Sequence, residues 1–195
     1  MTQGGGSELL DVLSRPVLEA APRLLGATFA HGGVTIRLTE VEAYDGADDP
    51  GSHAHRGLTE RNKVMFGPPG HLYVYFTYGM HHCCNVSCGP EGQASAILLR
   101  AGEVVGGLDT ARARRPKSSD RDLARGPGRL CKALGIDRGD DGLDLSGALR
   151  LGPPFDVIST GPRVGLRLAA DRPWRFWITD DRTVSRYVAA KPRVR

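Results

Sequence analysis

The chain has 195 residues, 40% hydrophobic and 25% charged, a balance that suits one globular domain with its own core and excludes a disordered or fibrous protein. No apolar run approaches membrane-spanning length, and Met1–Gly6 lack the basic-then-apolar order of a secretory leader, so no membrane attachment and an intracellular place, cytoplasm with nucleoid or nucleus, are expected. Net charge is +4, with 7 basic and 10 acidic side chains in residues 1–100 against 19 and 12 in residues 101–195.

Arginine outnumbers lysine 22 to 4. Guanidinium forks bind phosphate bidentately, so this composition suits a polyanion partner; a coding bias toward arginine would give the same count. The four cysteines, Cys83, Cys84, Cys88 and Cys131, include two neighbours and no CxxC pair, a poor disulfide framework.

In chain order, residues 1–6 read as a flexible tail and 7–195 as a single domain. Ser7 is placed to cap a short helix through Leu9, Leu10 and Leu13, and Ser14 with Pro16 starts a second, ending near Leu25-Gly26. Ala27–Ala30 and Val34–Ala43 read as strands joined at His31-Gly32-Gly33. In the second, Arg37, Thr39, Val41 and Ala43 alternate with Ile36, Leu38, Glu40 and Glu42, which puts the two glutamates on one face roughly 7 Å apart. Asp45–Gly70, rich in Gly, Pro, Asp and His, is a long loop of the kind that usually carries function. Leu72–Thr77, Cys83–Ser87 and Ala94–Arg100 follow as strands. Asp109–Arg125 is a basic run. Gly126-Pro127-Gly128 then opens a helix that Gly135 ends, and Phe155–Ser159, Val164–Leu168 and Arg175–Thr179 read as short strands.

The chemistry narrows by elimination. His81, His82, Cys83, Cys84 and Cys88 include metal-ligand types, but adjacent residues of a strand point to opposite faces and no second ligand pair follows, so no metal is expected. The H-x-E and P-C-x-x-C pair of a zinc nucleobase deaminase, a G-x-S-x-G elbow and a phosphate-binding G-x-x-x-x-G-K-[ST] loop are all absent. What remains is a concentration of rings: Tyr44, Tyr73, Tyr75 and Tyr78 lie in the same stretch as Glu40, Glu42, His53 and Asn85. Rings stack on flat heterocycles, a carboxylate activates water, and an amide reads a base edge. The same pattern also fits a tyrosine-rich core strand beside solvated glutamates. The helix after Gly126 offers free amides with Arg129 and Lys132, which favour a nucleic-acid backbone over a merely solvated face.

Glu40-Val41-Glu42-Ala43-Tyr44, His53, Arg61-Asn62-Lys63-Val64-Met65-Phe66, Leu72 through Met80, Asn85, Leu98-Leu99-Arg100 and Gly126 through Leu134 together resemble the alkyladenine (3-methyladenine) DNA glycosylase family, in the family's order and over most of the chain. The resemblance implies an α+β fold: a single compact domain with a curved antiparallel β-sheet, surrounding helices and long functional loops. It needs no cofactor. It implies a monomeric enzyme that flips alkylated purines (3-methyladenine and 7-methylguanine, with hypoxanthine and ethenoadenine as further candidates) out of double-stranded DNA and hydrolyses the N-glycosidic bond. Glu42 would be the general base and Arg100 its partner. Tyr44, His53, Tyr75, Asn85 and Val164 would form the base pocket, with Asn85 guarding against the 2-amino group of guanine. Tyr78 would wedge into the duplex, and Arg61, Gly128, Arg129 and Lys132 would hold its backbone. Tyr73 is left as a structural residue. His81 stands where the family often has another aromatic.

No lysine matches a position that could attack the sugar, so hydrolysis without strand cleavage is expected. Two readings compete with the enzyme. A catalytically inactive damaged-DNA-binding protein would use the same rings and basic half without needing Glu42. An RNA-binding transferase-like fold would have to bind RNA as well as duplex DNA.

Overall fold

One strand organises the molecule, and its twist comes from a conflict in its own sequence. The structure, a computed structural model, describes residues 4–77 and 79–191. Strand β1 (Thr28–His31) turns through Gly32-Gly33 into β2 (Val34–Asp45), both glycines at positive φ (54° and 77°), as a two-residue hairpin requires. In β2, Ile36 and Leu38 belong to the core, but so do Val41 and Ala43. Strict alternation cannot bury both pairs. The register shifts on either side of Glu40 resolve this: a bulge inserts one residue and changes the phase of the strand. Past it, Val41 and Ala43 face the core, and Glu40, Glu42 and Tyr44 face the other way. The simple alternation expected from sequence is corrected accordingly.

β2 pairs along one edge with β5 (Ser95–Gly106) and divides the other between β1 and β8 (Arg175–Ile178), the latter reaching only Glu40–Glu42. With β3 (Leu72–Thr77), β4 (His81–Cys88) and β6 (Leu149–Arg150), the order is β3-β4-β5-β2-β1-β6, and β7 (Ile158–Gly161) pairs with β8. The pairings between these strands are antiparallel. The result is an α+β domain whose curled sheet forms a half-barrel, with five α-helices around it among the described residues.

Helices α1 (Gly4–Leu13) and α2 (Val17–Arg23) cover one face with Leu9, Leu13 and Val17, and α5 (Pro127–Leu134) adds Leu130 and Leu134 to the same core. α1 begins at Gly4, three residues before the expected Ser7 cap and inside the stretch read as a tail. α5 has the expected bounds, with Pro127 in its first turn and Gly135 at φ 76° closing it. α4 (Leu108–Arg114) occupies the start of the basic run. Val164–Leu168 is not a strand: Gly165 is at φ 72°, and the amides of Val164 and Gly165 donate to Glu42 and Val188 rather than to a ladder.

Between β2 and β3 the long loop holds only a short 3-10 turn at Gly46–Asp48 and α3 (Lys63–Phe66). It is nevertheless pinned. Buried Asn62 donates to the carbonyls of His53 and Gly57 and accepts from the Thr59 amide. No helix among the described residues is long and apolar enough to cross a membrane.

Candidate active site

The polar face of β2 meets β3, β4, β5 and two loops around a cavity of about 320 Å³, lined by Tyr44, His53, Tyr73, Tyr75, Asn85 and Arg100, among others, at the small end of ligand sites. β3 presents Tyr73, Tyr75 and Thr77 at alternate positions, so its period brings all three to this cavity. The His53 ring stands edge-on to Tyr75, centroids 4.6 Å apart, and its Nδ1 shares a hydrogen bond with the Tyr73 hydroxyl at 3.2 Å. Burial, with Arg61 nearby, lowers the His53 pKa from its usual 6.5, which favours the neutral ring at pH 7. The Asn85 amide donates to the Tyr73 carbonyl at 3.2 Å, leaving its oxygen as the free acceptor of that side chain.

Glu42 is fully buried behind this wall. One carboxylate oxygen accepts from the Tyr44 hydroxyl at 2.8 Å, the other from the Val164 amide at 2.7 Å. Arg100 Nη1 lies 3.4 Å from the second oxygen. Burial, then the charge of Glu42, raises the Tyr44 pKa well above 10, so Tyr44 stays a donor. Tyr75 is also raised well above 10, by burial and then by Cys83. The carboxylate therefore faces donors only, and Tyr44, Arg100 and Val164, which hold it, all line the cavity.

Glu40 belongs to a different structure. Its carboxylate accepts from Arg100 Nε at 2.8 Å, Arg175 Nε at 2.7 Å, and the amide and hydroxyl of Ser185 at 2.6 and 2.9 Å. It is saturated and does not line the cavity, so the two glutamates are neither solvated nor an interchangeable pair. Arg163, also fully buried, clamps Asp49 with two bonds of 2.5 and 2.7 Å and donates to the Ala43 carbonyl at 2.9 Å. Its guanidinium lies between the rings of Tyr44 and Trp174, 4.6 and 5.1 Å from their centroids.

A family model described as methylpurine-DNA glycosylase (MPG) matches residues 11–182. The chain belongs to this family. It is similar to proteins named "Putative 3-methyladenine DNA glycosylase" from Streptomyces avermitilis, 54% identical over 95% of this chain and 93% of the relative, and Nocardia farcinica, 55% identical over 86% and 85%. A third, of the same name, from Frankia casuarinae is 50% identical over 94% of each chain. Membership in a family of DNA glycosylases places the chain in base-excision repair.

Of the residues expected in a methylpurine-DNA glycosylase pocket, Tyr44, His53, Tyr75, Asn85, Val164 and Arg100 line one cavity, with Glu42 directly behind. Tyr73, expected to be merely structural, lines it too and holds His53; its place two residues before Tyr75 on a strand was the available signal. Pro127, at the start of α5, also reaches the wall. Tyr78 lies outside the described residues; on either side of it the hairpin exposes Phe76 and Met80. Arg61 is exposed, its guanidinium 5.6 Å from the Tyr75 ring centroid at the cavity's mouth.

The basic run divides in two. Arg112 pairs with Asp109 and Asp120, Arg114 donates to the carbonyls of Ala133 and Gly32, Arg115 to those of Asp122 and Leu123, and Arg125 to that of Val184. These arginines brace their own loop and the end of α5. Arg129 and Lys132 are exposed and line a second hollow with Gly126, Gly128 and His81 beside the tyrosine-lined cavity. Gly128 packs closely there: a Cβ would lie 3.0 Å from His81, which would have to yield by a few tenths of an ångström. All four cysteines are buried and free, and among the described residues no cluster of three metal-ligating side chains occurs.

Proposed function

We propose that this protein is a monofunctional DNA glycosylase that flips alkylated purines out of double-stranded DNA into the Tyr44–His53–Tyr75 cavity and hydrolyses the bond to the sugar. The observation that carries this reading is Glu42, a buried carboxylate beside Arg100 at the wall of an aromatic cavity, in a chain of this family. A target base inside a stacked duplex is out of reach, so it must be extruded. Ring-lined walls favour a base made cationic by alkylation through cation–π attraction.

Glu42 takes a proton from a water held where Tyr44, Arg100 and Val164 converge. The water oxygen bonds to C1′ as the C1′–N bond breaks, and the bonding electrons leave with the purine, which neutralises its positive charge. The electrons need no metal or cofactor to receive them, because the alkylated ring does so. Among the described residues none of the side chains lining the cavity is a lysine, which supports hydrolysis over covalent attack on the sugar and strand cleavage. Tyr78 takes the place of the flipped base, Asn85 reads the base edge against a 2-amino group, and Arg61, Arg129, Lys132 and the amide of Gly128 hold phosphates. The enzyme acts as a monomer on chromosomal DNA inside the cell.

The test is release of free base from duplexes carrying 3-methyladenine, 7-methylguanine, hypoxanthine or ethenoadenine, beside undamaged DNA. Release from an alkylated duplex, with an abasic site and an uncut strand, is expected. Binding to these duplexes with no release from any of them would replace the enzyme with a damage-binding module.

A further inference from the structure

Among the described residues Arg100 is the only guanidinium lining the cavity, and its angle depends on what grips its far edge. Nε donates to Glu40 at 2.8 Å. One bond at Nε leaves the planar group able to pivot. The second grip is Ser185: Arg100 Nη2 donates to Ser185 Oγ at 3.4 Å, while that hydroxyl donates its single hydrogen to Glu40 at 2.9 Å. Ser185 also gives its amide to the other Glu40 oxygen at 2.6 Å, and its carbonyl accepts from Arg175 at 2.9 Å. One small residue thus touches both arginines and both oxygens of their shared counter-ion.

Ser185 lies beyond the segment that the family model matches, residues 11–182, in a strand-free stretch tied to the site at several points. Just before it, the Val184 carbonyl accepts from Arg125 at 2.8 Å. Just after it, the Val188 carbonyl accepts from the Gly165 amide at 3.0 Å. Gly165 follows Val164, whose amide holds Glu42. The stretch therefore steadies two of the three partners of Glu42, Arg100 through Ser185 and the Val164 peptide through Val188.

We propose that Ser185 is a positioning residue for hydrolysis: its hydroxyl fixes the plane of Arg100 so that Nη1 faces Glu42 and the cavity. This rests on the reading of Glu42 and Arg100 as the hydrolytic pair. The effect falls on the rate of bond cleavage and not on the hold on DNA, because Ser185 lies behind Arg100 and lines none of the cavities beside the base or α5.

The experiment compares the parent with Ser185→Ala and Ser185→Thr on duplex DNA methylated with dimethyl sulfate, measuring methylpurine release at saturating enzyme, affinity for the same duplex, and melting temperature. Release by the parent tests the proposed function by itself; its absence would count against that reading and not against Ser185. Given release, Ser185→Ala should be slower by about 10-fold, with affinity within about twofold, and Ser185→Thr, which keeps a hydroxyl, should recover most of the rate. An alanine variant as fast as the parent overturns the proposal, as does a loss that threonine leaves unrepaired or that follows affinity. Should the alanine variant not fold, Ser185→Cys, a weaker donor of similar shape, takes its place, and parental rate in that variant overturns the proposal equally.

Discussion

Glu40 and Glu42 stand two residues apart on the same face of β2, both without exposed surface, and differ in what surrounds them. Around Glu40 the site is closed: two guanidinium groups and both donors of Ser185 use its oxygens. Burial alone would raise its pKa, but Arg100, Arg175 and the Ser185 amide outweigh that and hold it below the usual 4.5. Around Glu42 the donors are a tyrosine hydroxyl, one backbone amide and the near edge of Arg100, all borne by residues that line the cavity. A carboxylate locked between cations is a counter-ion; one held by lighter donors beside a cavity can take a proton. Arg100 contacts both, so in the proposed mechanism the closed end sets the geometry of the working end.

The sharpest way to break this division is at Glu40. Glu40→Gln leaves Arg100 and Arg175 buried without their shared charge, and loss of one partner of a buried pair costs about 3–5 kcal/mol; urea unfolding measures it. The acid limb should change as well. Because its folded pKa lies below 4.5, Glu40 contributes stability that is full above that pH and is lost as pH falls through the folded value. Stability of Glu40→Gln should therefore fall less steeply with acid than that of the parent. An equally steep fall would mean that Glu40 is not held ionised by its arginines.

Glu42→Gln should do the reverse, with a well-folded protein and base release slowed by at least ~10²-fold, or about 2.7 kcal/mol in the barrier, while binding to damaged duplex persists. Release at the parental rate would remove Glu42 from the mechanism and favour the damage-binding alternative. Tyr44→Phe is milder. It keeps the ring that Arg163 packs against and deletes one donor to Glu42, for which about a 10-fold slower release is expected, typical of one hydrogen bond to a charged group. Weaker binding at an unchanged release rate would make Tyr44 a wall and nothing more.

The two glutamates also mark how far the sequence could be read. Their shared face, the β1–β2 hairpin and the bounds of α5 were all legible, because glycine, proline and two-residue alternation act locally. The residues gathered in one cavity were legible only through a resemblance spanning most of the chain, since His53, Asn85 and Val164 meet only after the sheet curls. What separates Glu40 from Glu42 was not legible. It depends on a bulge whose trigger is the competition between Ile36-Leu38 and Val41-Ala43 for one core, and on Arg175 and Ser185, well over a hundred residues away. Tyr73 was underrated for a similar reason: its partner, His53, is placed by Asn62 inside a loop that looks structureless in sequence.

The basic half of the chain poses the same question of closed against open groups, with a smaller effect. Arg112 is engaged by Asp109 and Asp120, whereas Arg129 approaches Asp122 only at 3.9 Å among the described residues and Lys132 is exposed in the last turn of α5. A cation that neutralises a phosphate releases a counter-ion, and removing it lowers the slope of log affinity against log salt by about 0.9. Arg129→Ala and Lys132→Ala should each show that loss on duplex DNA, measured by binding across a salt series, and Arg112→Ala should leave the slope alone because its charge is already matched within its own loop. An equal loss in all three would mean that the acid partners of Arg112 yield to DNA and that the whole run faces the duplex. No loss in any would move the backbone contact away from α5, to the side of the cavity where Arg61 leans over Tyr75.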